Sequence, residues 1–187
     1  MDSISFTSKL KPLTLSEFGQ IKSRIGSKNS VDFPWTINQT VKAKDVYTTN
    51  VIDCSACLLT NGQEAVMLHL TPDIEVNHAF SLVLSFLRNK IDLADKNLQA
   101  VLIGSKNHKK SQDIYNKFKE MLKGLNIPFS EFKNGKTPTS IAYQTNTDEV
   151  YITNKTLDKL LKKNTENSEV LKAGFEKISI ADCDEIA

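Results

Sequence analysis

Three side chains in the stretch Tyr47–Pro72 have the types and spacing to do chemistry. Cys54 stands at the mouth of the apolar run Cys54–Thr60, and His69 lies near the end of the returning run Glu64–Leu70. Asn61-Gly62 separates the runs, and Asn-Gly between apolar segments signals a hairpin because both residues tolerate the positive φ of a tight turn. A hairpin makes its arms cross-strand neighbours, so the outer ends holding Cys54 and His69 come together. A thiol becomes a useful nucleophile when an imidazole takes its proton, and the imidazole needs an acceptor that holds it in one tautomer. Thr48 is the candidate acceptor just upstream of the cysteine, with Thr49 and the neighbouring backbone carbonyls as alternatives. Polar Asn50, Asp53 and Ser55 place Cys54 at a strand entrance, whereas Cys57, inside the apolar run, reads as core packing.

The elements that must position these residues are legible from patterning. Thr14-Leu15-Ser16-Glu17 has the form of a capping box opening a helix through Ile25, with Leu15, Phe18, Ile21 and Ile25 on its apolar face. Trp35, the only tryptophan, reads as a packing anchor. Strand signals begin over Val41–Thr49 and continue through the two hairpin arms, which are apolar at nearly every position and so belong in a sheet covered on both faces. Asp73 caps a helix to about Ile91 that carries Val83 and Leu87 inward and contains His78, read as a surface residue. A strand over Leu98–Ile103, a helix over Lys109–Lys123 stopped at Gly124, and strands over Asn126–Phe132, Pro138–Thr145 and Glu149–Thr153 follow. This order predicts an α+β (mixed α/β) fold, a layered β-sandwich of mixed sheets with flanking helices. Residues 1–40 read as an N-terminal accessory segment with a short helix, 41–153 as the catalytic domain, and 154–187 as a lysine-rich helical extension with an acidic tail.

Composition narrows the classes of function. The chain has 187 residues, 40% of them hydrophobic and 25% charged, ordinary proportions for a soluble globular domain. A net charge of +2, with only Arg24 and Arg88 as arginines among 24 basic residues, argues against a nucleic-acid partner. Three cysteines make no disulfide framework and suit a reducing compartment. Cys54-x-x-Cys57 lacks the strand-then-helix setting of a redox motif and a second ligand pair for zinc, so no metal is expected. The N-terminus has no basic region leading into an apolar one, and no apolar run approaches membrane-spanning length. These features predict a chain that is cytoplasmic at synthesis and does not insert into a membrane.

The pattern Thr48, five intervening residues, Cys54, then S-A-C-L-L-T, a turn and A-V-M-L-H-L-T-P resembles the core of the chemoreceptor glutamine deamidases, the CheD family. The same cysteine–histidine core occurs in deamidase toxins of the cytotoxic necrotising factor type. The resemblance continues through the helix after His69, the strand L-Q-A-V-L-I-G, the helix ending L-K-G-L-N-I-P and the hairpin I-A-Y-Q-T-N-T-D-E-V-Y-I-T, covering about Val41 to Thr153. Where the family has glycine or serine directly before its cysteine, this chain has Asp53. The resemblance implies a CheD-like fold and a catalytic triad of Cys54, His69 and Thr48. It also implies deamidation of a glutamine on a protein target without metal or organic cofactor. The added terminal segments point towards a bacterial effector, translocated into a host cell by a route without a conventional signal peptide and acting on a host protein; a chemoreceptor is the other target class. Two alternatives use the same residues differently: a non-catalytic protein-binding module on the same scaffold, and a thiol amidase or protease.

Overall fold

Residues 9–31, 41–72, 76–104, 109–133 and 137–163 are described by a computed structural model of the chain. Along the chain the elements are β1 (Lys9–Pro12), α1 (Leu15–Ile25), β2 (Ser30–Val31), β3 (Val41–Ala43), β4 (Val46–Val51), β5 (Ser55–Thr60) and β6 (Ala65–Leu70). They continue as α2 (Val76–Lys90), β7 (Gln99–Gly104), α3 (Lys109–Gly124), β8 (Phe129–Lys133), β9 (Thr139–Gln144), β10 (Glu149–Thr153) and α4 (Lys155–Lys163). Trp35, Asp73, Cys183, the tail after residue 163 and the side chain of His78 lie outside the described residues.

The strands form two mixed five-stranded sheets, ordered β1-β10-β9-β4-β2 and β3-β6-β5-β7-β8. Each combines antiparallel and parallel pairs: β1 with β10 and β2 with β4 are parallel in the first, β7 with β8 in the second. Strand alternation divides the apolar side chains between three layers. Val46, Ile141, Val150 and Ile152 of the first sheet meet Ala56, Leu58, Met67, Val101 and Ile103 of the second in an inner core between the sheets. The opposite face of the second sheet, with Cys57, Leu59, Val66 and Leu68, packs on Val83 and Leu87 of α2 and Phe118 and Leu122 of α3. The outer face of the first sheet, with Tyr47, Ala142 and Tyr151, packs on Phe18, Ile21 and Ile25 of α1. This is the expected α+β sandwich with helices outside. Because β5 and β6 are buried on both faces, neither needs the polar alternation of a half-wet strand, which explains their continuous apolar runs.

Local chemistry sets the ends of these elements. Thr14 and Glu17 make both hydrogen bonds of the capping box at the start of α1, a device contributing about 1 kcal/mol. Leu15, expected on the buried face of α1, is instead 44% exposed, since it stands in the first turn beside the cap. There its amide donates to Asp158 of α4, tying the two helices together. Burial pushes the Asp158 carboxyl up, but the Lys162 ammonium and the Leu15 amide outweigh that and hold it below the usual carboxylate range. The hairpin between β5 and β6 uses Asn61-Gly62 as expected, but in a four-residue loop. The Asn61 side chain accepts from the amides of Gln63 and Glu64, and Gly62 supplies φ +85°.

Two departures from the sequence reading change how the site is built. The single strand signal over Val41–Thr49 is two strands in different sheets, β3 and β4, broken at Lys44-Asp45. Asp45 accepts from the Thr145 amide at 3.0 Å and the Lys44 carbonyl accepts from the Thr145 hydroxyl, so both polar residues are anchored in a turn. Residues 9–31, read as an accessory, are integral to the first sheet: β1 and β2 are its two edges and α1 covers its outer face. The four-residue β1 and two-residue β2 are too short to carry a periodic signal and are held by pairing with β10 and β4.

Gly104 closes β7 beside the residue that follows Cys54. A Cβ on Gly104 would lie 2.5 Å from Ser55 Oγ and 3.0 Å from the Tyr115 ring, both on buried residues. Gly104→Ala is therefore expected to destabilise the fold by about 1–3 kcal/mol through overpacking, read as a lower urea midpoint at unchanged m-value. An unchanged midpoint would show that the β7–β5 contact yields without cost.

Candidate active site

The site is assembled from the inner faces of both sheets. In the hairpin, Ala56 of β5 pairs with His69 of β6, so the two side chains share a face. Ala56 belongs to the inner core, as does Cys54 two residues before it, so thiol and imidazole lie on the same side of the second sheet. Cys57, an odd number of residues from Cys54, belongs to the opposite cluster under the helices. The two thiols therefore cannot chelate one ion, and burial pushes the Cys57 thiol up, away from a reactive thiolate. Among the described residues no group of three His, Cys, Asp or Glu is arranged to hold a metal.

The third member comes from the facing sheet. Thr48 lies in β4, between β2 and β9, and its hydroxyl oxygen is 2.8 Å from His69 Nδ1. The same oxygen is 2.5 Å from the Val31 carbonyl of β2. A carbonyl only accepts, so the single hydroxyl proton goes to Val31, and the oxygen must then accept from His69 Nδ1–H. That assignment leaves Nε2 as the basic nitrogen of the neutral ring. Thr48 and His69 are buried, at 0% and 1% exposure, and Cys54 retains 4%. Val31 O was invisible from sequence, since a backbone acceptor on a two-residue strand carries no side-chain signature. Thr48, the acceptor expected just upstream of the cysteine, lies on the ring.

A local irregularity brings Cys54 to this point. The pairing of β4 with β9 shifts register between Thr48 and Val51, and Asn50 in that interval has φ +59°. A bulge bends the strand, and asparagine tolerates the left-handed conformation better than most residues. After Val51 the chain crosses from the first sheet to the second through Ile52, Asp53 and Cys54, and β5 begins at Ser55. Left-handed backbone in the approach to Cys54 is thus supplied by Asn50, four residues upstream, while the position directly before the cysteine is the half-buried Asp53.

The hydrogen bond between Thr48 and His69 gives a direct test of the arrangement. Thr48→Val keeps the shape but removes both bonds, leaving the buried Nδ1–H and the Val31 carbonyl each short of a partner, at about 1–3 kcal/mol per group. The expected result is lower stability, reduced activity and a His69 ring that no longer holds one tautomer by nitrogen-15 NMR, all restored towards wild type by Thr48→Ser. A Thr48→Val protein with unchanged tautomer would remove Thr48 from the assignment.

No protein-family model matches the chain, and none of the curated proteins matches it in sequence. No helix among the described residues is long and apolar enough to cross a membrane.

Proposed function

We propose that this protein is a cysteine-dependent protein glutamine deamidase, related in its core to the chemoreceptor deamidases and necrotising-factor toxins it resembles. The observation that carries the reading is the convergence on one inner surface of Cys54, His69 and a Thr48 hydroxyl bonded to the imidazole. Had the thiol and the ring faced opposite sides of the sheet, no catalytic pair could exist. A cysteine with only 4% of its surface exposed also favours an amide delivered on a slender, flexible arm, such as a glutamine side chain, over a main-chain amide flanked by bulky neighbours. That observation weighs against the protease alternative.

In the proposed reaction His69 Nε2 takes the Cys54 proton, and the thiolate attacks the glutamine carboxamide carbon. The sulfur–carbon bond forms as the carbon–nitrogen bond breaks, and His69 returns the proton to the departing ammonia. Water, deprotonated by His69, then attacks the thioester carbon, the carbon–sulfur bond breaks, and His69 returns that proton to the departing Cys54 sulfur. The products are glutamate and the regenerated thiol, and an amine in place of water would give transglutamination. Thr48 holds the ring in the tautomer that keeps Nε2 available. The new carboxylate adds a negative charge to the target surface, enough to switch an interaction.

The target in this proposal is a protein carrying an accessible glutamine, a host protein if the chain is a bacterial effector and a receptor helix if it serves chemotaxis. Capture with the Cys54→Ala protein, followed by mass spectrometry of captured proteins treated with wild type, tests this. A glutamine converted to glutamate only by wild type is expected. Cleaved main chains in place of converted glutamines would establish the protease instead.

A further inference from the structure

Among the buried polar groups that the triad does not use, two lie in one row of the first sheet. Asn154 and Thr139 are both 0% exposed, and Asn154 Nδ2 and Thr139 Oγ1 have no hydrogen-bond partner among the described residues. An unpartnered buried polar atom costs about 1–3 kcal/mol, and native folds keep few of them. Strand register puts these two side by side. Thr153 of β10 pairs with Ser140 of β9, so the next position outward sets Asn154 beside Thr139, and Thr139 in turn pairs with Val51 of β4.

Alternation gives their face. Ile141 and Tyr143 on β9, and Val150 and Ile152 on β10, point into the inner core, so Thr139 and Asn154 continue those two rows. Thr153, between Ile152 and Asn154, bonds instead to the Leu13 carbonyl, and Leu13 packs in the outer layer with α1. The row Asn154–Thr139–Val51 therefore crosses the inner face of the first sheet at the end where the chain turns towards Cys54. Val51, Cys54 and Leu157 of α4 all belong to that core.

We infer that Asn154 and Thr139 form the donor pair that holds the carbonyl oxygen of the attacked carboxamide, an inference that rests on the deamidase reading. Asn154 Oδ1 caps α4 by accepting from the Leu157 amide at 2.8 Å, which commits the oxygen to the helix and leaves Nδ2, a pure donor, turned away from it. The Thr139 hydroxyl supplies the second donor. Negative charge develops on that oxygen as the thiolate attacks, and preorganised donors in a water-poor site are most effective there. The positive end of α4, a nine-residue helix beginning at Lys155, adds to the same pull.

Asn154→Asp separates donation from capping, because aspartate caps as well as asparagine but has no Nδ2–H. Thr139→Val removes the second donor and, with an unpartnered hydroxyl gone, should leave thermal stability unchanged or raised. For either variant we expect kcat on a glutamine peptide to fall about 10²–10³-fold, with the melting temperature of Thr139→Val at or above wild type, whereas Asn154→Asp melts lower because it buries an unpaired carboxylate. In nitrogen-15 spectra of the Cys54→Ala protein, the Asn154 side-chain amide should move on adding N-acetylglutamine methylamide and not on adding its glutamate counterpart. Wild-type turnover in both variants would overturn the inference while leaving deamidation intact. If the wild type turns over no glutamine at all, the spectral arm decides alone: a shift with the carboxamide probe sustains the subsite, and an unmoved Asn154 amide overturns it.

Discussion

Cys54→Ala is expected to release no ammonia from a glutamine peptide above the uncatalysed rate, a loss of at least about 10⁴-fold, because the thioester route disappears with its nucleophile. The fold should survive, since alanine at this position loses one sulfur from the rim of the inner core. Cys57→Ala is the matched control. It lies on the opposite face of the same strand, packed under α2 and α3, so it should cost some stability and leave turnover in place. Parallel measurement of ammonia release and melting temperature on the two variants separates nucleophile from packing. Equal activity in wild type and Cys54→Ala would end the catalytic assignment.

His69→Gln is the second large effect. Glutamine can still donate to Thr48 and roughly fills the ring's volume, but it cannot take and return a proton. Turnover should fall by about 10²–10⁴-fold, the usual contribution of a positioned general acid–base group. Alkylation of Cys54 by iodoacetamide near neutral pH should slow as well, because the thiol loses the base proposed to take its proton. Cys54→Ala with His69→Gln in one chain should be no slower than Cys54→Ala alone, as expected of residues that act as a unit. His69→Ala is a poorer probe. It would leave a cavity between the sheets and a buried threonine oxygen without its donor, so loss of activity could follow from loss of fold.

Much of this site was legible before any coordinates. The Asn61-Gly62 loop and the two apolar arms announced a doubly covered hairpin whose outer ends hold Cys54 and His69, but the face each side chain takes follows only from the register that sets Ala56 opposite His69. Thr14-x-x-Glu17 marked the start of α1 because a capping box is a local device needing no tertiary context. What stayed hidden depends on pairing between distant segments. Nothing in Lys9–Pro12 or Ser30–Val31 shows a strand until β10 and β4 are there to bond it. The break at Lys44-Asp45 was masked because Val41 and the strand-forming run Val46–Thr49 lie close enough to read as one strand, although β3 and β4 belong to different sheets. Val31 acts through a carbonyl and Asn154 through the half of its amide that capping leaves over. Neither role has a sequence signature.

The chemistry assigned to Cys54, His69 and Thr48 is tested most directly by trapping the intermediate. Wild-type protein is mixed with a glutamine peptide in heavy-oxygen water, quenched with acid at short times and read by intact and peptide mass spectrometry. The expected record is a transient adduct on Cys54 with the mass of the peptide less ammonia. It should be followed by product peptide in which glutamine has become glutamate carrying one heavy oxygen. Peptide that stays a carboxamide, or conversion without any adduct on Cys54 and undiminished in Cys54→Ala, would contradict the account.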